Sequence, residues 1–141
     1  MLFLIGCKLS VKANTDVIHV PTGYLTIQEA INHANLGDTI FVHKGTYYEH
    51  VVVNKSVSLV GEDKDSTIID GNRIGNVISV TANNVSIQGF IVKRSGTSPY
   101  DCAIFVDRSS SMDVRYNTIT SNNDGISFFS SSNNVVSENT I

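Results

Sequence analysis

The chain has 141 residues, 41% hydrophobic against 16% charged, which makes one soluble domain with a core of its own the default. Ten Lys+Arg against 13 Asp+Glu give a formal net charge of -3, a balance that argues against nucleic acid as a partner. The absence of tryptophan, the two prolines and the many Ser, Thr and Asn residues describe short strands joined by tight polar turns rather than a helical bundle.

Residues 1–13 (MLFLIGCKLSVKA) read as a signal-peptide remnant. Leu2 to Ile5 form an apolar run, and Val11-Lys12-Ala13 a small-residue cleavage site ahead of Asn14. The stretch is too short to span a bilayer, so the segment is not transmembrane and the mature protein is expected to be secreted, periplasmic or cell-surface. A basic n-region is missing, which places the true start upstream or makes the sequence a fragment. Leu4-Ile5-Gly6-Cys7 competes as a lipobox that would lipidate Cys7. Cleavage after Ala13 removes Lys8 and Lys12, leaving 8 Lys+Arg against 13 acids and a net charge of -5. It also leaves Cys102 alone, so no intrachain disulfide can form. Cys102 alternates with Ile104 and Val106, the pattern of a small buried apolar residue and not of a reactive thiol.

Residues 14–37 hold an N-terminal segment and a capping helix. Ile27, Ala30, Ile31 and Ala34 follow the i, i+3, i+4, i+7 spacing of an amphipathic helix. Thr26 and Glu29 form a capping box, and Gly37 supplies the left-handed C-terminal residue. One apolar stripe on a lone helix must cover something, so the helix is expected to plug the open end of a sheet.

From residue 38 to 141 the hydrophobic period switches to two: Ile40 and Val42, Val51 and Val53, Val57 and Leu59, Ile78 and Val80, Val85 and Ile87, Ile104 and Val106, Ile126 and Phe128. Gly45, Gly61, Gly71, Gly75, Gly89, Gly96, Asn117, Gly125 and Asn139 punctuate these short strands as tight or left-handed corners. Self-similarity decides the architecture. Val114-Arg115-Tyr116-Asn117-Thr118-Ile119 matches Val136-Ser137-Glu138-Asn139-Thr140-Ile141 at an offset of 22, as does Ile104-Phe105-Val106 with Ile126-Ser127-Phe128. Val57-Ser58-Leu59 answers Val85-Ser86-Ile87 at an offset of 28. Units of this size cannot bury their faces alone and must stack. The sequence lacks the dense Leu framework of leucine-rich repeats, which leaves an all-β, right-handed parallel β-helix.

Stacking at these offsets puts Ile87, Val114 and Val136 in one interior column and Asn117 on Asn139 as an amide ladder. The spacing from Ile78 to Ile104 is 26, and its excess lies in Ser95 to Asp101, which should project as a loop. Ile141 falls in mid-repeat, so the solenoid is expected to be C-terminally truncated, with further coils or C-terminal domains as its natural neighbours. The isolated piece is expected to aggregate or dimerise through that end.

Thr26-Ile27-Gln28-Glu29-Ala30-Ile31, Gly37-Asp38-Thr39-Ile40-Phe41-Val42, Gly45-Thr46-Tyr47-Tyr48-Glu49 and Val57-Ser58-Leu59-Val60-Gly61 resemble the opening of pectin-lyase-like β-helix proteins. More narrowly they resemble the NosD-like "periplasmic copper-binding" repeat family. The resemblance implies the fold over nearly everything after the leader, and it spans lyases, hydrolases, esterases and non-catalytic surface proteins. Pectin methylesterases share the Thr-Ile-Gln opening and the turn seen at Gly45, Tyr47 and Glu49. Their catalytic aspartates and arginine belong to later motifs that this sequence does not match, so no catalytic residue carries over. The copper label transfers poorly, because no His or Cys pair has ligand spacing.

Among candidate site residues, His43 and His50, with Glu49, are the ones that could meet across the Gly45 turn as metal ligands; solvated surface histidines are the plainer reading. Asp113 and Arg115 should point outward between Gln88 and Ser137, with Asp107 and Arg108 ending the neighbouring strand. Such groups are the catalytic candidates of a uronic-acid lyase or hydrolase, or ligands for calcium, against a plain reading as surface ion pairs. Tyr100 and Asp101 on the projecting loop, with Tyr116 nearby, would form an aromatic-plus-carboxylate patch for a sugar ring. Asn54-Lys55-Ser56 and Asn84-Val85-Ser86 are glycosylation sequons. The first expectation is therefore an exported β-helix scaffold that binds polysaccharide or a surface glycan, with no cofactor and no catalysis of its own. The alternatives are a polysaccharide lyase, hydrolase or pectinesterase-like enzyme with residues partly beyond Ile141, and NosD-like copper handling.

Overall fold

The computed structural model describes Gly6 and residues 14–141; the expected signal-peptide remnant, with the candidate lipobox Cys7, lies outside the described residues apart from Gly6. The chain winds into a right-handed parallel β-helix of three sheets. Sheet A has six strands: β1 (Val17–Val20), β2 (Thr39–Val42), β5 (Ser58–Gly61), β8 (Ser86–Gln88), β11 (Asp113–Arg115) and β14 (Val135–Ser137). Sheet B stacks β3 (Gly45–Tyr47), β6 (Thr67–Asp70), β9 (Ile91–Lys93) and β12 (Thr118–Thr120). Sheet C stacks β4 (Val51–Val53), β7 (Ile78–Val80), β10 (Cys102–Asp107) and β13 (Asp124–Phe129). Each coil runs A, B, C in sequence order, so every neighbour in a sheet is a parallel strand from the next coil.

The registers are those of the internal repeats. Val114 pairs with Val136, Ile104 with Ile126, and Leu59 with Ile87. Inward residues therefore form continuous columns: Ile40, Leu59, Ile87, Val114 and Val136 in sheet A, and Val51, Ile78, Ile104 and Ile126 in sheet C. Sheet B adds Ile69, Val92 and Ile119. Ile40, Leu59, Ile87, Val114, Ile78 and Ile104 are fully buried. At about 25 cal/mol per Å² of apolar surface, these columns are the main force holding one coil on the next. The last coil covers less: Val135, Val136, Phe129 and Ile141 are exposed.

Helix α1 (Ile27–His33) closes the N-terminal end, packing Ile27, Ala30 and Ile31 over the core against β1, β2 and β4. Its Thr26 hydroxyl accepts from the Glu29 amide, as the capping box requires. A second carboxylate caps the same end: Glu49 receives the Ile27 and Gln28 N–H groups at 3.0 and 3.1 Å. Gly37 is left-handed (φ 89°) but is not the residue that ends the helix. That role falls to Ala34, whose N–H donates to the Ile31 carbonyl, and Gly37 instead turns the chain into β2.

The corners also differ from expectation. At the A–B corner Gly89 is left-handed as expected (φ 82°), but in the next two coils that backbone belongs to Tyr116 (φ 56°) and Glu138 (φ 55°), the residues before Asn117 and Asn139. The asparagines use their side chains instead. Asn117, 2% exposed, accepts the Phe90 N–H and donates to the carbonyls of Ile87 and Arg115, while Asn139 Oδ1 accepts from both the Asn117 backbone and its amide. Gly125 lies inside β13 rather than at a corner, and Gly45 opens a strand.

Candidate functional site

The extra residues of the third coil project where sheet B turns to sheet C. The base of this loop is built into the solenoid: Ser95 and Gly96 are buried, the Ser95 N–H donates to Asn122 Oδ1, and the Gly96 N–H donates to the Gly75 carbonyl. Beyond the base, residues 97–100 are exposed. Asp101 closes the turn on both sides, since its carboxylate accepts the Ser98 N–H at 2.9 Å and its own N–H donates to the Ser98 carbonyl at 2.9 Å. The Asn123 amide also donates to that carbonyl at 3.0 Å. Tyr100 is consequently carried on a braced turn with 87% of its surface exposed. Tyr116 is not its neighbour in the coil: it turns the A–B corner, and a hydrogen bond to the Glu138 carboxylate raises its phenol pKa.

The outward face of sheet A presents two columns, Thr39, Ser58, Ser86, Asp113 and Val135 beside Phe41, Val60, Gln88, Arg115 and Ser137. Arg115 does lie between Gln88 and Ser137. Its guanidinium forks onto the Asp113 carboxylate, Nε to Oδ1 at 2.7 Å and Nη2 to Oδ2, and this pairing raises the Arg115 pKa further. Asp107, at the end of β10, pairs with Arg108 at 2.8 Å on the C–A corner. The three catalytic candidates thus divide between a face and a corner, each carboxylate already held by an adjacent arginine.

The metal candidates separate completely. Glu49 caps α1, and His50 Nδ1 donates to the Asn76 carbonyl at 2.9 Å. His43 turns instead toward β1, where its Nε2 lies 3.1 Å from His19 Nδ1, while its Nδ1 is 3.4 Å from Glu62. Phe41 packs against both rings. The Lys44 N–H donates to Glu62 and holds that carboxyl below its usual range. Sequence reasoning missed this chain of groups because β1 was not read as a strand; the parallel pairing of β1 with β2 is what brings His19 to His43.

Glu49 therefore has a structural role that its position in a turn did not reveal. Glu49→Ala should lower the unfolding free energy by about 1 kcal/mol, the usual loss for a helix N-cap acceptor, as a shift in the urea midpoint. An unchanged midpoint would mean that water replaces the carboxylate at the helix end.

The family model described as periplasmic copper-binding protein (NosD) matches residues 13–141. The chain belongs to the NosD family. It is 36% identical over 98 residues to a cell surface glycoprotein of Methanothermus fervidus, covering 65% of this chain and 16% of that protein. A probable pectinesterase/pectinesterase inhibitor 6 of Arabidopsis thaliana is 31% identical over 130 residues, 77% of this chain and 23% of that one. Among solved structures, pectin methylesterase in complex with hexasaccharide VII superposes with a TM-score of 0.70 at 15% identity, covering 82% of this chain and 46% of that chain. A point mutant in complex with hexasaccharide IV gives 0.64 at 16% identity, over 75% and 43%. These likenesses confirm the pectin-lyase-like fold of this NosD protein, which spans less than a quarter of the curated relatives it matches.

Copper takes imidazole and thiolate donors converging on one ion. In this NosD chain the Cys102 thiol is buried, and desolvation, with the Asp124 and Asp101 charges behind it, pushes its pKa up to about 11. His33 Nδ1 donates to the Glu29 carbonyl, and the His19–His43 pair offers two nitrogens joined to each other. Among the described residues no three or more His, Cys, Asp or Glu side chains form a group able to hold a metal ion. The described residues do not assemble a copper centre.

Proposed function

We infer that the chain is part of an exported, cell-surface β-helix protein that binds polysaccharide or a surface glycan without catalysis of its own. The observation that carries this reading is Tyr100. An exposed phenol ring on a freely moving loop would lose much of its stacking energy to ordering, whereas this one stands on a turn closed by Asp101 and Asn123 and rooted in buried Ser95. Tyrosine combines a flat apolar face with a polar tip, which suits the C–H face and hydroxyl rim of a sugar. Export is supported by the periplasmic description of the family and by the cell-surface name of the Methanothermus relative.

The test is binding to acidic and neutral polysaccharides, with and without calcium, for the protein and its Tyr100→Ala variant. Loss of a stacking anchor should weaken binding about tenfold or more. Binding that Tyr100→Ala leaves unchanged would remove the loop from the site.

A second reading, a polysaccharide-active enzyme, draws on the outward Asp113–Arg115 pair and on the hexasaccharide complexes of the structural neighbours. It requires Asp113 to release Arg115 before its oxygens can reach a substrate.

A further inference from the structure

The two sequons acquire a meaning in the fold that the tripeptides alone do not have. Asn54 directly follows β4, and Asn84 lies two residues before β8, so both belong to the corner where sheet C turns to sheet A, in successive coils. The corner is stacked on itself: the Thr81 N–H donates to the Val53 carbonyl, the Ser86 N–H to the Val57 carbonyl, and the Ser56 hydroxyl to the Asn83 carbonyl. Both asparagines are exposed.

Their side chains are also uncommitted, unlike those of six other asparagines. Asn76, Asn83, Asn117, Asn122, Asn134 and Asn139 each accept a backbone N–H with their amide oxygen, most of them from another coil. These six asparagines act as coil-to-coil clamps. Neither Asn54 nor Asn84 takes part in a side-chain hydrogen bond among the described residues, although Asn84 has the left-handed backbone (φ 54°) that suits a corner asparagine. The hydroxyl residue each sequon needs is present at Ser56 and at Ser86, the latter on the outward face of β8.

We propose that Asn54 and Asn84 are asparagine-linked glycosylation sites, which place two glycans on the C–A corner. The donor is a lipid-linked oligosaccharide phosphate or pyrophosphate. The Asn amide nitrogen forms a bond to the anomeric carbon and loses one proton, while the bond from that carbon to the phosphate oxygen breaks and the lipid phosphate leaves with the electron pair. Asn54 directly follows β4 and Asn84 stands just before β8, so the two lie toward opposite ends of the corner. Glycans there cover the seam above Val57 and Val85 and leave the B–C corner, with Tyr100, open on another side of the solenoid.

The proposal rests on export, the one part of the functional reading it shares. Protein taken from outside its producing cells is digested and its peptides are weighed by mass spectrometry. Glycan mass is expected on both asparagines, with Ser56→Ala abolishing it at Asn54 alone and Ser86→Ala at Asn84 alone. Exported protein with an unmodified Asn54 or Asn84 overturns the assignment of that residue and leaves the export reading standing. Protein found only inside the cell overturns both.

Discussion

Asn117→Leu is expected to lower the unfolding free energy by about 2–4 kcal/mol, although leucine is nearly the same size and the site is almost fully buried. The change strips an acceptor from the Phe90 N–H at 3.1 Å and a donor from the Ile87 carbonyl at 3.0 Å, in a place water does not reach. A buried backbone group left without a partner costs about 1–3 kcal/mol, which falls on the Phe90 N–H, while the Ile87 carbonyl and Asn139 Oδ1 each lose a donor. Asn117→Asp keeps the acceptor and still fails, because its second oxygen would face the Ile87 and Arg115 carbonyls and Asn139 Oδ1. Asn139→Leu makes the control: this residue caps the Asn117 N–H from a more exposed coil, and its loss should cost less than half as much. Urea denaturation decides the matter, and an Asn117→Leu variant within about 0.5 kcal/mol of the parent would show that the corner needs no ladder.

Gly61→Ala is expected to be as damaging for a different reason. Gly61 and Gly89 meet where sheet A turns toward sheet B in adjacent coils, so closely that a Cβ on Gly61 would strike the Gly89 carbonyl oxygen and lie 2.7 Å from its carbon. A Cβ on Gly89 would in turn come within 2.5 Å of the Gly61 oxygen, on a backbone with φ of 82°. Backbone cannot swing aside as a side chain can, so two coils must part locally, which costs about 2–3 kcal/mol or more. Gly125→Ala provides the contrast. The nearest atom to its Cβ is Ile141 Cγ2 at 3.4 Å, an ordinary contact, and its unfolding midpoint should barely move. Equal effects at Gly61 and Gly125 would contradict the close approach of the coils.

The interior of the solenoid was legible because each long-range contact repeats a local signal. An inward residue at every second position, copied at an offset of 22 or 28, states both the strand and its partner, and Val114–Val136 and Leu59–Ile87 pair as the offsets require. The strands of sheet B were not legible. Each of β9 and β12 is three residues with a single inward side chain, Val92 or Ile119, and one residue cannot show a period. Strand β1 escaped for the same reason, with only Val20 fully buried, and with it went the approach of His19 to His43.

Corner chemistry was half legible. The Asn117–Asn139 match was visible in the repeats, but the left-handed residue proved to be the one before each asparagine, since the amide must reach the next coil to satisfy backbone groups. Glu49 could not be assigned at all from sequence. Its partners, the first amides of a helix 21 and 22 residues away, are neighbours only because that helix packs on β4, which Glu49 precedes by two residues. The excess length located the projecting loop, exposed at residues 97–100, but Ser95 and Gly96, expected to project with it, are buried at its base. Its brace was not legible, because the bond from Asn123 to Ser98 joins residues 25 positions apart.

Product analysis separates the proposed binding of polysaccharide without chemistry from turnover. The full-length protein is incubated with a methyl-esterified acidic polysaccharide that it binds, while released methanol, new reducing ends and unsaturated products are followed together. Retention of the polysaccharide is expected, with none of the three products rising above the rate without protein. Product formation that Asp113→Asn or Arg115→Ala abolishes, with binding intact, would contradict it and make the outward face of sheet A an active site.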